Sequence, residues 1–177
     1  MFKYAILLSL TIFSIPIGAS SYKPSYTMFS KPKIEKLGYK AYNKILNEKE
    51  LKCLTDNIYF EARSEKDIGK KAVALVTLNR LKHDNDNEYP NTICGIVHQK
   101  NKYKCQFAWT CNKRQPIKEY ALYKNCHDIA KTIIMNYGVI HDVTRGATNY
   151  HRNDIRPSWA VKKKRTIIIG KHLFYRL

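Results

Sequence analysis

The chain contains little acidic charge, few glycines and no long apolar segment. Its 177 residues include only 14 Asp and Glu, 7 Gly and 6 Pro. No apolar run reaches the roughly 18 residues expected of a membrane-spanning helix. No internal repeat, glycine-rich phosphate-binding loop or Cys-x-x-Cys pair is present either. These absences argue against a repeat array, a multispan membrane protein, a P-loop enzyme and a zinc finger.

Basic and hydrophobic residues are abundant by contrast. Thirty-two Lys and Arg give the chain a formal net charge of +18, and 44% of its residues are hydrophobic. This apolar content suffices for one folded domain. A charge of this size predicts an anionic polymer or surface as the partner, with binding that weakens as the ionic strength rises.

The first 20 residues are similar to a secretory signal peptide. Lys3 precedes a run at 4–17 that is apolar except for two Ser and one Thr, and small residues occupy 18–20. We therefore predict cleavage after Ser20, because the run is shorter than the roughly 20 residues of a spanning helix. An uncleaved membrane anchor is the alternative. Export would place the mature protein in the periplasm or at the cell wall, with no stable membrane span.

Export also bears on the choice between partners for a basic chain. An exported protein meets a polyanionic cell envelope and rarely meets nucleic acid. We expect peptidoglycan glycan strands and anionic envelope polymers as partners, and no nucleic acid. Residues 21–47 are rich in Lys, Tyr, Ser and Pro, which predicts a basic arm before the folded domain. Nucleic-acid binding remains the alternative, because tyrosines lie between the lysines of this arm and could stack on bases.

Five cysteines raise the question of disulfide bonds, since export permits them. An odd number leaves one cysteine unpaired or paired between chains, and the spacing alone fixes no connectivity. We favour a bond between Cys105 and Cys111, because it would hold the polar, irregular segment at 100–114. A metal site is the weaker alternative, because no spacing matches a zinc pattern. We expect no cofactor.

Apolar periodicity predicts an α+β domain at 48–177 that is mainly helical and ends in a small sheet. Helical spacing indicates a helix at 48–63 and a second one, capped by Ser64 or Asp67, that runs to Lys82. The second helix is predicted to bury one apolar face, made of Ile68, Ala72, Val73, Leu75 and Val76. Further helices are predicted at 92–99 and 119–137. The predicted strands lie at 147–151 and in a hairpin at 165–176 that turns at Gly170 and Lys171.

Glu61 is the candidate acid. It lies about 300° round the first helix from Ile58, which places it beside the buried stripe. Partial burial raises the pKa of a carboxyl group, and Glu65 one turn later would raise it further, as a general acid near neutral pH requires. Arg63 would oppose this shift. A solvated or salt-bridged glutamate is the alternative.

Six phrases of the sequence occur in an order typical of one family. They are CLTDNIYFEARSE (53–65), GKKAVALVTLNRLK (69–82), YPNTICGIVHQ (89–99), CQFAWTC (105–111), GATNYHRNDIRPSW (146–159) and IGKHLFYR (169–176). Together they resemble the SleB-type cell wall hydrolase family, named after a spore-cortex-lytic enzyme. The resemblance covers residues 53–176 and implies a lysozyme-like fold that cuts peptidoglycan glycan strands.

The resemblance also implies a mechanism. Glu61, in the YFEAR phrase, would be the catalytic acid of a lytic transglycosylase or muramidase that cleaves the bond between MurNAc and GlcNAc and leaves 1,6-anhydro ends. This reaction needs one carboxylate. A water-using glycosidase would need a second one, for which Glu65, Asp67 and Asp154 are the candidates. An amidase and a non-catalytic wall-binding protein are the competing hypotheses.

Four residues are predicted to bind the glycan. Gln106 and Trp109 lie in the cysteine-flanked phrase, and an amide and an aromatic ring suit N-acetyl groups and sugar faces. Tyr150 and His151 lie in the strand that the family places near the cleft. Many relatives have His where this chain has Asn149. Cys126 lies outside the family phrases, which makes it the candidate for the free thiol.

Overall fold

The computed structural model describes residues 47–83, 88–112 and 115–176. The predicted signal peptide at 1–20 lies outside the described residues, as does the predicted arm at 21–47 except for its last residue. Within the described part, no helix is long and apolar enough to cross a bilayer. The elements are α1 (Glu48–Ala62), α2 (Asp67–Lys82), α3 (Ile93–Val97), α4 (Ala108–Cys111), α5 (Tyr120–Met135), β1 (Asn149–Arg152), a 3-10 helix (Ser158–Lys162), β2 (Lys164–Ile169) and β3 (His172–Arg176).

Helix α1 confirms the helix predicted at 48–63 and ends one residue earlier. Asn47 begins it, because its side-chain Oδ1 accepts a hydrogen bond of 2.8 Å from the Glu50 backbone N–H. That bond satisfies one of the donors that a helix start leaves free. Leu54 and Ile58 are fully buried. The apolar face predicted from their spacing therefore packs into the core.

Helix α2 lies at the predicted place, but its start differs from the prediction. Lys66 occupies the N-cap position without a side-chain hydrogen bond, so the prediction that Ser64 or Asp67 caps this helix is wrong. Asp67 lies inside the first turn and pairs with Lys70 at 3.3 Å. Ile68, predicted to be buried, is 45% exposed. The other residues of the predicted apolar face are buried, namely Ala72, Val73, Leu75 and Val76.

The main core lies between α1, α2 and α5. Helix α5 confirms the helix predicted at 119–137, and it buries Ile129 and Ile133 on one face. Helix α3 confirms the short helix predicted at 92–99 and contributes Ile93 to the same core. These helices form the body of the domain, against which the small sheet packs.

The strands form an antiparallel sheet in the order β1-β3-β2. The strand predicted at 147–151 is displaced towards the C-terminus, and the hairpin predicted at 165–176 is confirmed. Gly170 turns the hairpin with a φ of +57°, in the left-handed region that glycine adopts freely. Phe174 of β3 is fully buried in a cluster with Val76 of α2. The domain is therefore α+β and mainly helical, as predicted.

Two disulfide bonds constrain the helical part. Cys105 and Cys111 are bonded, as predicted, across a separation of 6 residues, and Cys53 of α1 is bonded to Cys94 of α3 across 41 residues. Cys126 is the free cysteine among the described residues, as predicted. Its thiol is buried in the main core, and burial raises its pKa to about 11.

Candidate active site

A cavity of about 470 Å³ opens between the end of α1, helix α2, the sheet and the disulfide-bonded loop at 105–111. We call this cavity the cleft. Glu61 is the only carboxylate among the described residues that line it. The polar side chains on its wall come from every one of these elements and include Glu61, Arg80, Gln106, Asn149, Tyr150 and Lys163.

Glu61 is held at the cleft in a largely buried position. Its Oε2 accepts a hydrogen bond of 3.0 Å from the hydroxyl group of Tyr150. Burial raises the pKa of Glu61 above its ordinary value, while the Tyr150 hydrogen bond and the nearby positive charge of Arg80 oppose the rise. A carboxyl group with a raised pKa retains its proton at higher pH, which is the property that a general acid needs.

The pKa of Glu61 is affected by Tyr150 and Arg80, and not by Arg63 and Glu65 as predicted. Arg63 points away and forms an ion pair of 2.8 Å with Glu119. Glu65 packs beside the buried His172, with its Oε1 4.0 Å from Nδ1 of that residue. The helical angle predicts the burial of Glu61, but it does not reveal which charges lie across the cleft.

Arg80 is a buried cation on the floor of the cleft. It is only 2% exposed, and its Nε donates a hydrogen bond of 2.7 Å to the Thr148 carbonyl. Its guanidinium lies over the rings of Phe107, at 5.2 Å, and Tyr89, at 5.5 Å. The side-chain oxygen of Gln106, turned towards it, accepts from Nη1 and Nη2 at 3.1 and 3.0 Å. The guanidinium is thus fixed in place.

Tyr150 is positioned by rings on three sides. Its ring centroid lies 5.2 Å from that of His172 in an edge-to-face contact, 5.7 Å from that of Phe174 and 6.4 Å from that of Phe107. Burial, and then the adjacent Glu61 carboxylate, raise the pKa of Tyr150 well above its ordinary value. The phenol therefore remains protonated and donates to Glu61.

The three predicted candidates for a second carboxylate lie outside the cleft lining. Glu65 packs towards the β2–β3 turn, where a Cβ added at Gly170 would overlap its Oε2. Asp67 pairs with Lys70 of α2. Asp154 is exposed and pairs with Arg152 at 2.6 Å. Across the described ranges, no group of three or more His, Cys, Asp or Glu is placed to hold a metal ion.

Gln106 and Tyr150 line the cleft, but Trp109 lies in a second pocket of about 380 Å³. Trp109 stacks on Phe60 of α1 with a centroid distance of 4.7 Å, and its Nε1 donates to Asn57 Oδ1 at 3.1 Å. Gln106 and Trp109, which are both predicted to bind glycan, therefore line different pockets. Trp109 lies in the one-turn helix α4, whereas Gln106 precedes that helix in the loop.

His151 does not line the cleft either, because β1 directs it to the opposite face from Tyr150. It is 7% exposed. Its Nδ1 donates to the Arg152 carbonyl at 2.7 Å, and its Nε2 is hydrogen-bonded to the Tyr175 hydroxyl at 2.9 Å. Both ring nitrogens of His151 are hydrogen-bonded within the protein, so neither is available to bind substrate.

The cleft also contains residues that sequence reasoning missed. Asn149 Oδ1 accepts a hydrogen bond of 2.9 Å from Lys163 Nζ, and both residues line the cleft together with Arg80. Arg80 lies in the phrase at 69–82, so its position in a family motif was the available signal. Lys163 lies outside the six family phrases, and nothing in the sequence indicated that it would line the cleft.

Substitution of Tyr150 by Phe is expected to raise the pKa of Glu61 further. The hydroxyl group donates to the Glu61 carboxylate and so stabilises its charged form, while the aromatic packing survives in Phe. Titration of the Glu61 carboxyl by NMR would measure the change. Tyr175→Phe is the matched control, because that hydroxyl bonds His151 away from the cleft. An unchanged or lowered pKa in Tyr150→Phe would contradict the assignment.

Comparison with known proteins defines the class. A family model described as Cell Wall Hydrolase matches residues 64–175. The match spans more than half of the chain, which therefore belongs to the cell wall hydrolase family, as the phrases of its sequence indicate. The matched region begins after Glu61 and does not include it.

Particular relatives are spore cortex-lytic enzymes. The chain is 26% identical over 129 residues to the spore cortex-lytic enzyme of Halalkalibacterium halodurans and 24% identical over 129 residues to that of Bacillus cereus. These matches cover 72% of this chain but only 35% and 44% of the relatives. The chain thus spans less than half the length of the curated relatives it matches.

Two solved structures share the fold. The catalytic domain of the germination-specific lytic transglycosylase SleB from Bacillus anthracis matches with a TM-score of 0.55 at 23% identity, over 73% of this chain and 96% of that one. The catalytic domain of the Bacillus cereus SleB protein gives a TM-score of 0.54 at 23% identity, over 73% and 91%. These matches confirm the predicted lysozyme-like α+β fold.

Proposed function

We propose that this protein is a peptidoglycan-cleaving lytic transglycosylase that breaks the bond between MurNAc and GlcNAc, with Glu61 as its catalytic residue. One observation carries the proposal. Glu61 is largely buried, has a raised pKa and is the only carboxylate among the described residues that line the cleft. A transglycosylase needs only one carboxylate, whereas a water-using glycosidase needs two that face each other across the sugar.

In the first half of the reaction, Glu61 acts as a general acid. Its Oε2 is engaged by Tyr150, so Oε1 is the oxygen that would carry the proton to the substrate. Transfer of this proton to the glycosidic oxygen allows the bond between that oxygen and C1 of MurNAc to break. The GlcNAc side leaves as an alcohol, and positive charge develops at C1.

In the second half, the Glu61 carboxylate acts as a base. It accepts the proton of the muramic 6-hydroxyl group while that oxygen forms a bond to C1. The product is a 1,6-anhydro sugar, and Glu61 regains its proton, so no water is consumed. The Tyr150 hydroxyl and the Arg80 charge both favour the carboxylate form, and they therefore stabilise the state between the two halves.

The predicted glycan contacts divide between two sites under this proposal. In the cleft, the Gln106 amide is placed to bond substrate hydroxyl or N-acetyl groups beside Glu61. Trp109 would instead contact glycan or its peptide outside the cleft. His151, held by Tyr175 and Arg152, would act by fixing β1, which carries Tyr150.

The proposed location and partners follow from the charge and from the predicted leader. An exported enzyme from a chain with a formal charge of +18 would adhere to the anionic polymers of a cell wall, in the periplasm or outside the cell. Peptidoglycan as substrate agrees with the family to which the chain belongs.

Mass spectrometry of the fragments released from purified peptidoglycan tests the proposed function. We expect glycan fragments that end in 1,6-anhydro-MurNAc. Reducing ends in their place would mean that water attacks C1 and that a second carboxylate exists. Free stem peptides would point to an amidase, and the absence of soluble products would point to a wall-binding protein. Each of these three outcomes contradicts the transglycosylase.

A further inference from the structure

The cleft is strongly cationic apart from its single acid. Arg80, Lys100, Lys104 and Lys163 all line it, together with Glu61. When Glu61 is protonated, as its first step requires, no carboxylate among the described lining residues balances these four cations. Glu88, which is not one of those lining residues, acts electrostatically on Arg80 and Lys163. Within the described part of the chain, none of the four forms an ion pair with a carboxylate.

The guanidinium of Arg80 is positioned to recognise an anion. Its Nε is occupied by the Thr148 carbonyl, and its Nη atoms face the amide of Gln106, an exposed residue on the cleft wall. A substrate carboxylate that displaces this neutral amide oxygen would bind the two N–H groups of the guanidinium in parallel. The buried position of Arg80 strengthens such a bond, because water screens it less.

Lys163 provides a second cation at the same place. Its Nζ is held by Asn149 Oδ1 at 2.9 Å, which leaves other ammonium protons available. Burial lowers the pKa of Lys163, the nearby Glu88 raises it, and the positive charge of Arg80 lowers it. Lys163 and Arg80 both line the cleft, and each lies close enough to affect the other electrostatically.

We propose that the cleft selects glycan strands that carry carboxylates near the cleaved bond, with Arg80 and Lys163 as specificity-determining residues. The carboxylates of the stem peptide, which is attached to the lactyl group of MurNAc, are the anions of this kind that peptidoglycan offers. Strands whose carboxylates are blocked would be poor substrates. This inference rests on the proposed function and names the substrate class of the same site.

The test compares two forms of one substrate. Peptidoglycan is treated with carbodiimide and methylamine, which converts its carboxylates to neutral methylamides, and a mock-treated sample retains them. The rate of fragment release gives kcat/KM for each form at low, fixed ionic strength. We expect the wild-type protein to favour the intact form by at least about tenfold, the effect of one charge-assisted hydrogen bond.

A matched pair of variants separates the cleft from the overall charge of the protein. Lys163→Gln and Lys131→Gln each remove one positive charge, but Lys131 is exposed on α5, away from the cleft. We expect Lys163→Gln to reduce the preference for intact substrate about tenfold, and Lys131→Gln to preserve it. Lys104→Gln is the second cleft variant, should Lys163→Gln fail to fold.

Three results would overturn the inference, and one of them also overturns the proposed function. Equal cleavage of both forms would show that glycan is cleaved without recognition of carboxylates. A loss of preference in Lys131→Gln as large as that in Lys163→Gln would assign the preference to adhesion by the whole charged surface. If neither form were cleaved, both the proposed function and the inference would be contradicted.

Discussion

Replacement of Glu61 by Gln is expected to stop the release of anhydro-sugar fragments, with a loss of about a thousandfold in rate. Glutamine has the shape of a protonated glutamate but carries no acidic proton. Its side-chain oxygen can still accept the Tyr150 hydrogen bond, so we expect the fold to be retained. The glycosidic oxygen would then have to leave without protonation, which is the difficult step of the proposed mechanism.

Glu65→Gln is the matched control for this experiment. Glu65 follows Glu61 by one helical turn in sequence, yet it packs near His172 and lies outside the cleft lining. We expect fragment release by Glu65→Gln to stay close to the wild-type rate, with thermal unfolding measured for both variants. If Glu61→Gln folds and still releases fragments, the proposed mechanism is wrong. A comparable loss in Glu65→Gln would indicate a two-carboxylate enzyme.

Removal of the bond between Cys53 and Cys94 is expected to lower the free energy of unfolding by about 4 kcal/mol. The bond joins α1 to α3 across 41 residues, so it restricts a long loop in the unfolded chain. The Cys105–Cys111 bond spans only 6 residues, and its removal is expected to cost about 2 kcal/mol by the same reasoning. Double alanine substitutions and denaturant unfolding would measure both losses.

The two disulfide variants should differ in a second way. The loop at 105–111 lines the cleft through Gln106 and Phe107, whereas the Cys53–Cys94 bond does not line it. We expect the variant without Cys105–Cys111 to lose more activity at a temperature where both variants are folded. A larger stability loss for the short loop than for the long one would contradict the loop-entropy account.

Most of the fold could be predicted because it depends on local spacing. Leu54 and Ile58 recur at one face of α1, and Gly170 marks the hairpin turn, so each signal lies within a few residues of the structure it predicts. The errors concern the ends of elements, and they include β1, which begins two residues after its predicted start. The start of α2 lacks a capping side chain, and Ile68 in its first turn is exposed, although the apolar pattern alone predicts burial.

The candidate site could be predicted only in part, because it is assembled from distant segments. Glu61 was identifiable from its helical position and its phrase. Arg80 is held in the cleft by contacts with Thr148 and Phe107, which lie far from it in sequence. Local spacing therefore could not predict its place in the site. Trp109 was predicted to bind glycan from its residue type and its loop, yet it does not line the cleft. Residue type and loop position do not fix the direction of a side chain.

The position of Cys126 has a consequence for the maturation of the protein. A thiol exchanges with disulfides only as a thiolate and only where another sulfur can reach it. Once α5 has docked, burial of Cys126 in the main core keeps other sulfur atoms away from it. Its pKa of about 11 keeps the thiol protonated. Scrambling of the two native bonds is therefore confined to the interval before the helices assemble, and an isomerase would act in that interval alone.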